Sequence, residues 1–224
     1  MTPDRRLLGR LLGEAKREPA TTIAWMAGAF SASLALAVLV LLAFGAGPTG
    51  THRALQATAR LAFLPFWLAY AGGALATLFG SPFQAVARRG RELGLAFAAA
   101  LLVHVGLVAW LYRISTDAPV SPGVFAFFAA GVAWTCLLVL LSFRRLAGAL
   151  RPGRLRALRV VGMEYIGLAF LVDFVGHPLR GQASVMLAYL PFSILAVAGI
   201  VLRLAAWARR GLAVRPSGAG RSPC

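Results

Sequence analysis

Three ionisable side chains fall inside long apolar segments of the sequence, where a charge is costly and a functional role is the first hypothesis. They are His104, Glu164 and Asp173. His104 lies 11 residues after Leu93, roughly 16 Å along a helix that rises about 1.5 Å per residue. An imidazole at that depth can bind a haem iron or pass protons, or it can be an interior group hydrogen-bonded to another helix.

Asp173 lies at a comparable depth in a later segment, roughly 20 Å from the start of its helix. The predicted topology, with both termini in the cytoplasm, makes both segments run outward from the cytoplasm. Because each group needs a polar partner away from water, we expect His104 and Asp173 to form an intramembrane polar pair. A local alternative is open, since His177 follows Asp173 by four residues on the same helical face.

The other reactive side chains have simpler explanations. Glu164 lies about one turn inside its apolar segment, and an ion pair with Arg159 at the membrane surface accounts for it. Cys136 lies within an apolar run and Cys224 in a polar tail, so neither has the spacing of a metal site or a disulfide framework.

The composition of the chain is too apolar for a water-soluble domain. It therefore determines which kind of secondary structure can position these residues. Of 224 residues, 59% are hydrophobic and 13% are charged, and the mean hydropathy is +0.77. The apolar runs lack the alternation of barrel strands, so in lipid they must be helices. We predict an all-α fold, a polytopic six-helix transmembrane bundle, with spans at 21–46, 61–82, 93–113, 122–143, 158–176 and 184–207.

The basic residues predict the orientation of these spans. The chain has 23 Lys and Arg against 7 Asp and Glu, a net charge of +16. All of the basic residues flank one side of the spans except Arg53, Arg60, Arg113 and Arg180. By the positive-inside rule that side is cytoplasmic, so we expect a protein of the inner membrane with both termini in the cytoplasm. Anionic lipid head groups explain the excess charge, and no nucleic-acid partner is needed.

Two flanking segments complete the predicted organisation around the transmembrane domain at 21–207. Residues 1–20 combine leucines at helical spacing with basic side chains, the pattern of an amphipathic helix on the cytoplasmic surface, and a solvated basic tail is the alternative. Residues 208–224 are basic and rich in Pro and Gly, so we expect a disordered tail.

One stretch is specific enough to compare with a known family. Residues 88–104 combine a basic start, Leu93-Gly94-Leu95, an alanine-rich run with Phe97, and His104 preceded by aliphatic residues. This stretch resembles the third helix of the ferric reductase-like transmembrane family, which includes the haem-b membrane subunit of bacterial periplasmic methionine sulfoxide reductase. Gly80-Ser81-Pro82 is similar to the end of the family's second helix.

The resemblance implies a helical core that holds haem b, with His104 as a ligand to the iron and electrons passing to an acceptor outside the cytoplasm. The sequence carries no FAD or nicotinamide motif, so the donor would be quinol or a separate flavoprotein. The chain would be at most the membrane subunit of an oxidoreductase, with a partner reductase or other membrane subunits. In the fifth span, Val160 and Asp173 stand where the family has two histidines, and Met163 is expected to pack rather than to bind iron.

Two functions follow from this departure. The chain passes electrons through a haem bound by His104 alone, or it is a cofactor-free scaffold or accessory membrane subunit in which His104 and Asp173 are interior contacts. A proton-relay transporter is a third alternative, and the lack of inverted repeats or broken helices in the sequence weighs against it.

The first prediction concerns topology. Reporter fusions at Thr51, Asp117 and Gly181 should all read external, because each site follows an odd-numbered span of the predicted six. A cytoplasmic reading at any of the three sites removes a span from this topology.

The second prediction concerns the polar pair. Asp173→Ala should destabilise the detergent-solubilised protein by about 1–3 kcal/mol, because it removes the partner of His104. The Asp173→Ala/His104→Ala double variant should cost less than the sum of the single variants in equilibrium unfolding. Strict additivity would mean that the two residues do not interact.

Overall fold

The structure is a computed structural model that describes residues 5–116, 119–143, 151–176 and 183–213, with side chains over 20–116, 119–143, 151–176 and 187–211. The described residues form helices and contain no strand, so the fold is all-α and polytopic, as the sequence predicts. A 3-10 helix, Ser81–Phe83, precedes α3. The α-helices are α1 (Arg5–Phe44), α2 (Pro48–Phe79), α3 (Gln84–Arg88), α4 (Gly90–Ile114), α5 (Pro122–Leu140), α6 (Pro152–Gly176) and α7 (Ala183–Ala213).

Five helices are long and apolar enough to cross a membrane, and they coincide with the first four and the sixth of the predicted spans. The predicted fifth span, 158–176, is helical within α6, but Arg159, Glu164 and Asp173 make it more charged than the others. The chain is thus a multi-pass membrane protein, and the crossing of α6 stays a prediction. The five apolar stretches are Ala20–Phe44, Pro48–Phe79, Gly90–Ile114, Pro122–Leu140 and Leu187–Gly211.

Several helices extend beyond the predicted spans. α2 begins at Pro48, so Arg53 and Arg60, which we predicted to precede the second span, lie within the helix. α1 runs from Arg5 through most of the predicted surface segment at 1–20. α7 continues to Ala213, so the first part of the predicted disordered tail is helical. Residues 214–224 lie outside the described residues, as do Asp117, His177, Arg180 and Gly181.

The chain divides into two compact units, and the divisions fall inside α2, after the first residue of α4, and inside α6. The first unit comprises Met1–Phe66 and Arg91–Phe170, and the second comprises Trp67–Gly90 and Leu171–Cys224. In the first unit, an apolar cluster joins α1, α2 and α4, and a hydrogen bond from the Ser33 hydroxyl to the Ala100 carbonyl, 3.3 Å long, ties α1 to α4. The cluster consists of Ala37, Ala54, Val103 and Leu107, all of them buried.

In the second unit, the last part of α2 packs along α7. The indole nitrogen of Trp67 donates to the Leu195 carbonyl at 2.6 Å. Further along both helices, Gly199 lies so close to α2 that a Cβ atom there would be 3.0 Å from Trp67 Nε1 and 3.3 Å from Tyr70. Because the paired residue numbers rise together, these two segments run parallel. Small residues permit this close approach between helices in lipid.

A third prediction tests this contact. Gly199→Leu should destabilise the protein by about 1–3 kcal/mol, because the new side chain must displace the Trp67 and Tyr70 rings. Gly106→Leu is the matched control, since a Cβ atom at Gly106 would meet no other atom within 4 Å. Equal unfolding midpoints for the two variants would contradict the close approach.

Candidate functional site

His104 lies within α4, ten residues before the helix ends at Ile114. Helix-forming Ala and Leu dominate α4, and Glu92 in its first turn favours the helix because a carboxylate there complements the helix dipole. The buried face of α4 includes Phe97, Ala100, Val103 and Leu107. His104 is half-buried beside this face.

The partner of His104 on α2 is a threonine. The Nδ1 atom of His104 lies 3.2 Å from the hydroxyl oxygen of Thr58, which is completely buried. Thr58 is ten residues from the start of α2 and His104 ten residues from the end of α4, so each lies about 15 Å along its helix from the same side. The contact therefore joins two antiparallel helices at equal depth.

The surroundings of Thr58 indicate the direction of its hydrogen bond with His104. The Thr58 hydroxyl oxygen lies 2.9 Å from the Ala54 carbonyl oxygen and 3.2 Å from that of Leu55. A helical threonine commonly donates its hydrogen to the carbonyl four residues earlier. With its own hydrogen donated in this way, the Thr58 oxygen is an acceptor for the Nδ1–H group of His104.

Four phenyl rings fill the interior about two helical turns from His104. We call them the phenyl cluster; they are Phe63 and Phe66 of α2, Phe97 of α4 and Phe170 of α6. Ring centroids are 5.2 Å apart for Phe66 and Phe97, and 5.9 Å apart for Phe97 and Phe170. Phe63, Phe66 and Phe97 are at most 4% exposed. The cluster brings α4 and α6 into direct ring contact.

The haem bound by His104 stays a prediction, and side chains pack closely along α4 on both sides of this residue. About two turns before His104, at the level of Phe97, the rings of Phe97 and Phe170 meet edge to face. On the other side of His104, Val103 and Leu107 are packed into the apolar cluster with Ala37 and Ala54. Over the described ranges, no three His, Cys, Asp or Glu residues are grouped so that they could hold a metal ion.

Asp173 lies in the second unit, whereas His104 lies in the first. Asp173 is half-buried. The next residue, Phe174, is fully buried, and its ring packs on Phe192 of α7. The His104–Asp173 pair stays a prediction. So does the alternative pair with His177, which is outside the described part of the chain.

Glu164 is exposed on α6, in the first unit. Arg159, its predicted partner, donates from NH2 to the Leu141 carbonyl oxygen at 2.9 Å, just beyond the end of α5. The predicted ion pair between Glu164 and Arg159 stays a prediction. The sequence analysis did not predict this contact, through which Arg159 caps the carboxyl end of α5.

Sequence reasoning missed the contact of Thr58 with His104 and the position of Arg60 within α2. Thr58 was overlooked because it precedes the predicted second span at 61–82, although Ala54, Thr58 and Ala62 recur every four residues. Arg60 was placed outside the membrane, yet it lies within α2, two residues after Thr58, and its Nε atom is buried. Pro48 could have indicated the position of both residues, because proline is favoured at the first position of a helix and a helix that begins at Pro48 includes Thr58 and Arg60.

Comparisons of the chain with protein-family models, with curated proteins and with solved structures found no match. The resemblance to the ferric reductase-like family therefore rests on the residues from Arg88 to His104 and on the end of the second span.

A fourth prediction tests the contact of His104. Thr58→Val should destabilise the protein by about 0.6 kcal/mol and at most about 1.7 kcal/mol, the range of interhelical hydrogen bonds in membranes. Thr135→Val is the control, because the buried Thr135 hydroxyl donates to the Gly131 carbonyl of its own helix at 2.9 Å. A double-mutant cycle of Thr58→Val with His104→Phe should show coupling. An additive cycle would mean that the contact adds nothing to stability.

Proposed function

We propose that this chain is a cofactor-free accessory or scaffold subunit of the inner membrane, of the ferric reductase-like type, with both termini in the cytoplasm. In this proposal, His104 is an interior contact that joins α2 to α4. The observation that best supports the proposal is the phenyl cluster, in which side chains of α2, α4 and α6 fill the interior about two turns from His104.

The exposure of α1 and α5 supports an accessory role. Within their apolar stretches, 11% of α1 and 6% of α5 is buried inside the chain. These helices therefore present most of their apolar surface to lipid or to helices of another membrane protein. The proposed partners are anionic lipids at the basic loops and subunits of a membrane complex.

The alternative proposal is that the chain holds one b-type haem through His104 and passes electrons outward. One contact favours it, because iron-binding histidines commonly donate their second ring nitrogen to a nearby acceptor, as Nδ1–H of His104 does to Thr58. The donor set is against it, since the fifth span supplies Val160 and Asp173 in place of histidines.

The fifth prediction separates the two proposals. Protein purified from haem-replete cells should show no Soret band, because in the cofactor-free proposal His104 is an interior contact to Thr58. The Thr58→Val/His104→Phe double variant should fold and unfold within about 1 kcal/mol of the wild type, since exchanging both polar partners for apolar groups is nearly neutral.

A Soret band in the purified protein would contradict the cofactor-free proposal. A Soret band that His104→Ala abolishes would support the haem proposal and reject the cofactor-free one. A Soret band that His104→Ala leaves unchanged would show that haem is bound and that His104 is not its ligand.

A further inference from the structure

Three arginines of α7 contact the last turns of α2 in the second unit. Arg203 NH1 donates to the Tyr70 carbonyl at 3.0 Å, and its guanidinium lies 4.4 Å from the centroid of the Tyr70 ring. About two turns further on, NH1 of Arg209 lies 2.9 and 3.0 Å from the carbonyl oxygens of Thr77 and Leu78. NH2 of Arg210 lies 3.3 Å from the Thr77 hydroxyl oxygen.

These contacts hold two guanidinium groups together at the end of α2. The helix ends at Phe79, so its last carbonyl groups lack partners within the helix and carry partial negative charge. Arg209 supplies the hydrogen bonds. Each guanidinium has five N–H donors, and these contacts use one nitrogen of Arg209 and one of Arg210, both of which are exposed.

The positive charge of this pair is not balanced within its unit. Across the sequence of Trp67–Gly90 and Leu171–Cys224, the single acidic residue is Asp173. Asp173 adjoins Phe174, whose ring packs on Phe192 near the start of α7. Arg209 follows Phe192 by 17 residues, about 25 Å along the helix. A ligand for this end of the unit should therefore be an anion.

An apolar stripe leads along α7 to the arginine pair. Val197, Val201, Leu204 and Trp207 recur every three or four residues, and they are 47%, 57%, 61% and 77% exposed. In a membrane these side chains face acyl chains, and a tryptophan at the end of such a stripe marks the interface where head groups lie. Arg209 is two residues beyond Trp207.

We propose that Arg209 and Arg210 bind the phosphate of an anionic phospholipid whose acyl chains lie along Val201, Leu204 and Trp207. The planar fork of arginine suits the oxygens of a phosphodiester, and α2 already fixes both side chains in place. The excess positive charge favours an anionic lipid over a zwitterionic one. The proposal rests on the proposed partnership of the basic segments with anionic lipids, and it is independent of whether the chain holds haem.

The test is a titration of the detergent-solubilised full chain with phosphatidylglycerol, followed by thermal unfolding. Phosphatidylglycerol should raise the unfolding temperature of the wild type more than phosphatidylcholine does. Arg209→Gln/Arg210→Gln should weaken the apparent affinity for phosphatidylglycerol about tenfold. Arg154→Gln/Arg156→Gln removes the same charge from two exposed arginines at the start of α6 and should weaken it less than about twofold.

Each other outcome overturns the proposal. Equal losses in the two double variants would mean non-specific attraction to basic residues, and an equal rise with inorganic phosphate would mean a soluble anion. Should the loss of the α2 contacts unfold Arg209→Gln/Arg210→Gln, Arg210→Gln alone decides, because Arg210 contacts the Thr77 side chain and not the backbone. It should weaken affinity about threefold, and wild-type affinity in this variant would reject the site.

Discussion

The structure depends on one constraint, which is that backbone carbonyl and amide groups in lipid must find hydrogen bonds inside the protein. An unsatisfied group there costs several kcal/mol, so the apolar segments are helices and the helix ends need partners. Arginines from neighbouring helices provide some of these partners. Arg159 binds the Leu141 carbonyl beyond the end of α5, and Arg209 binds the Thr77 and Leu78 carbonyls near the end of α2. Some of the basic residues that predict the orientation of the spans therefore also donate hydrogen bonds to the carbonyl groups at helix ends.

This constraint explains how well the sequence predicts the fold. Hydropathy identifies the residues that face lipid, so all six predicted segments are helical and five of them are apolar enough to span. Hydropathy does not report where a helix begins or ends. α2 begins at Pro48 and α7 continues to Ala213 because the backbone stays helical through polar turns at the ends of a span. For the same reason, α6 is a complete helix although charged residues are spread along it.

The candidate site could be predicted only in part. His104 was identifiable because an ionisable group deep in an apolar segment is rare and needs a partner. Thr58 could not be identified in the same way, since a threonine that donates to its own helix is common in membrane helices. The phenyl cluster was hidden for another reason. The sequence is equally compatible with Phe97 and Phe170 facing lipid. Only the packing of three helices makes them an interior contact.

His104 belongs to a wider pattern of polar side chains that tie one helix to another. Ser33 donates to Ala100, Tyr165 donates to Phe127, and Trp67 donates to Leu195, each across two helices and each to a backbone carbonyl. Apolar surfaces gain little by meeting each other in lipid, so these bonds and close ring packing specify which helices meet. The hydrogen bond between His104 and Thr58 also joins two helices, but its acceptor is a side chain. The contact between His104 and Thr58 therefore contributes to the association of α2 and α4 in the same way as these bonds.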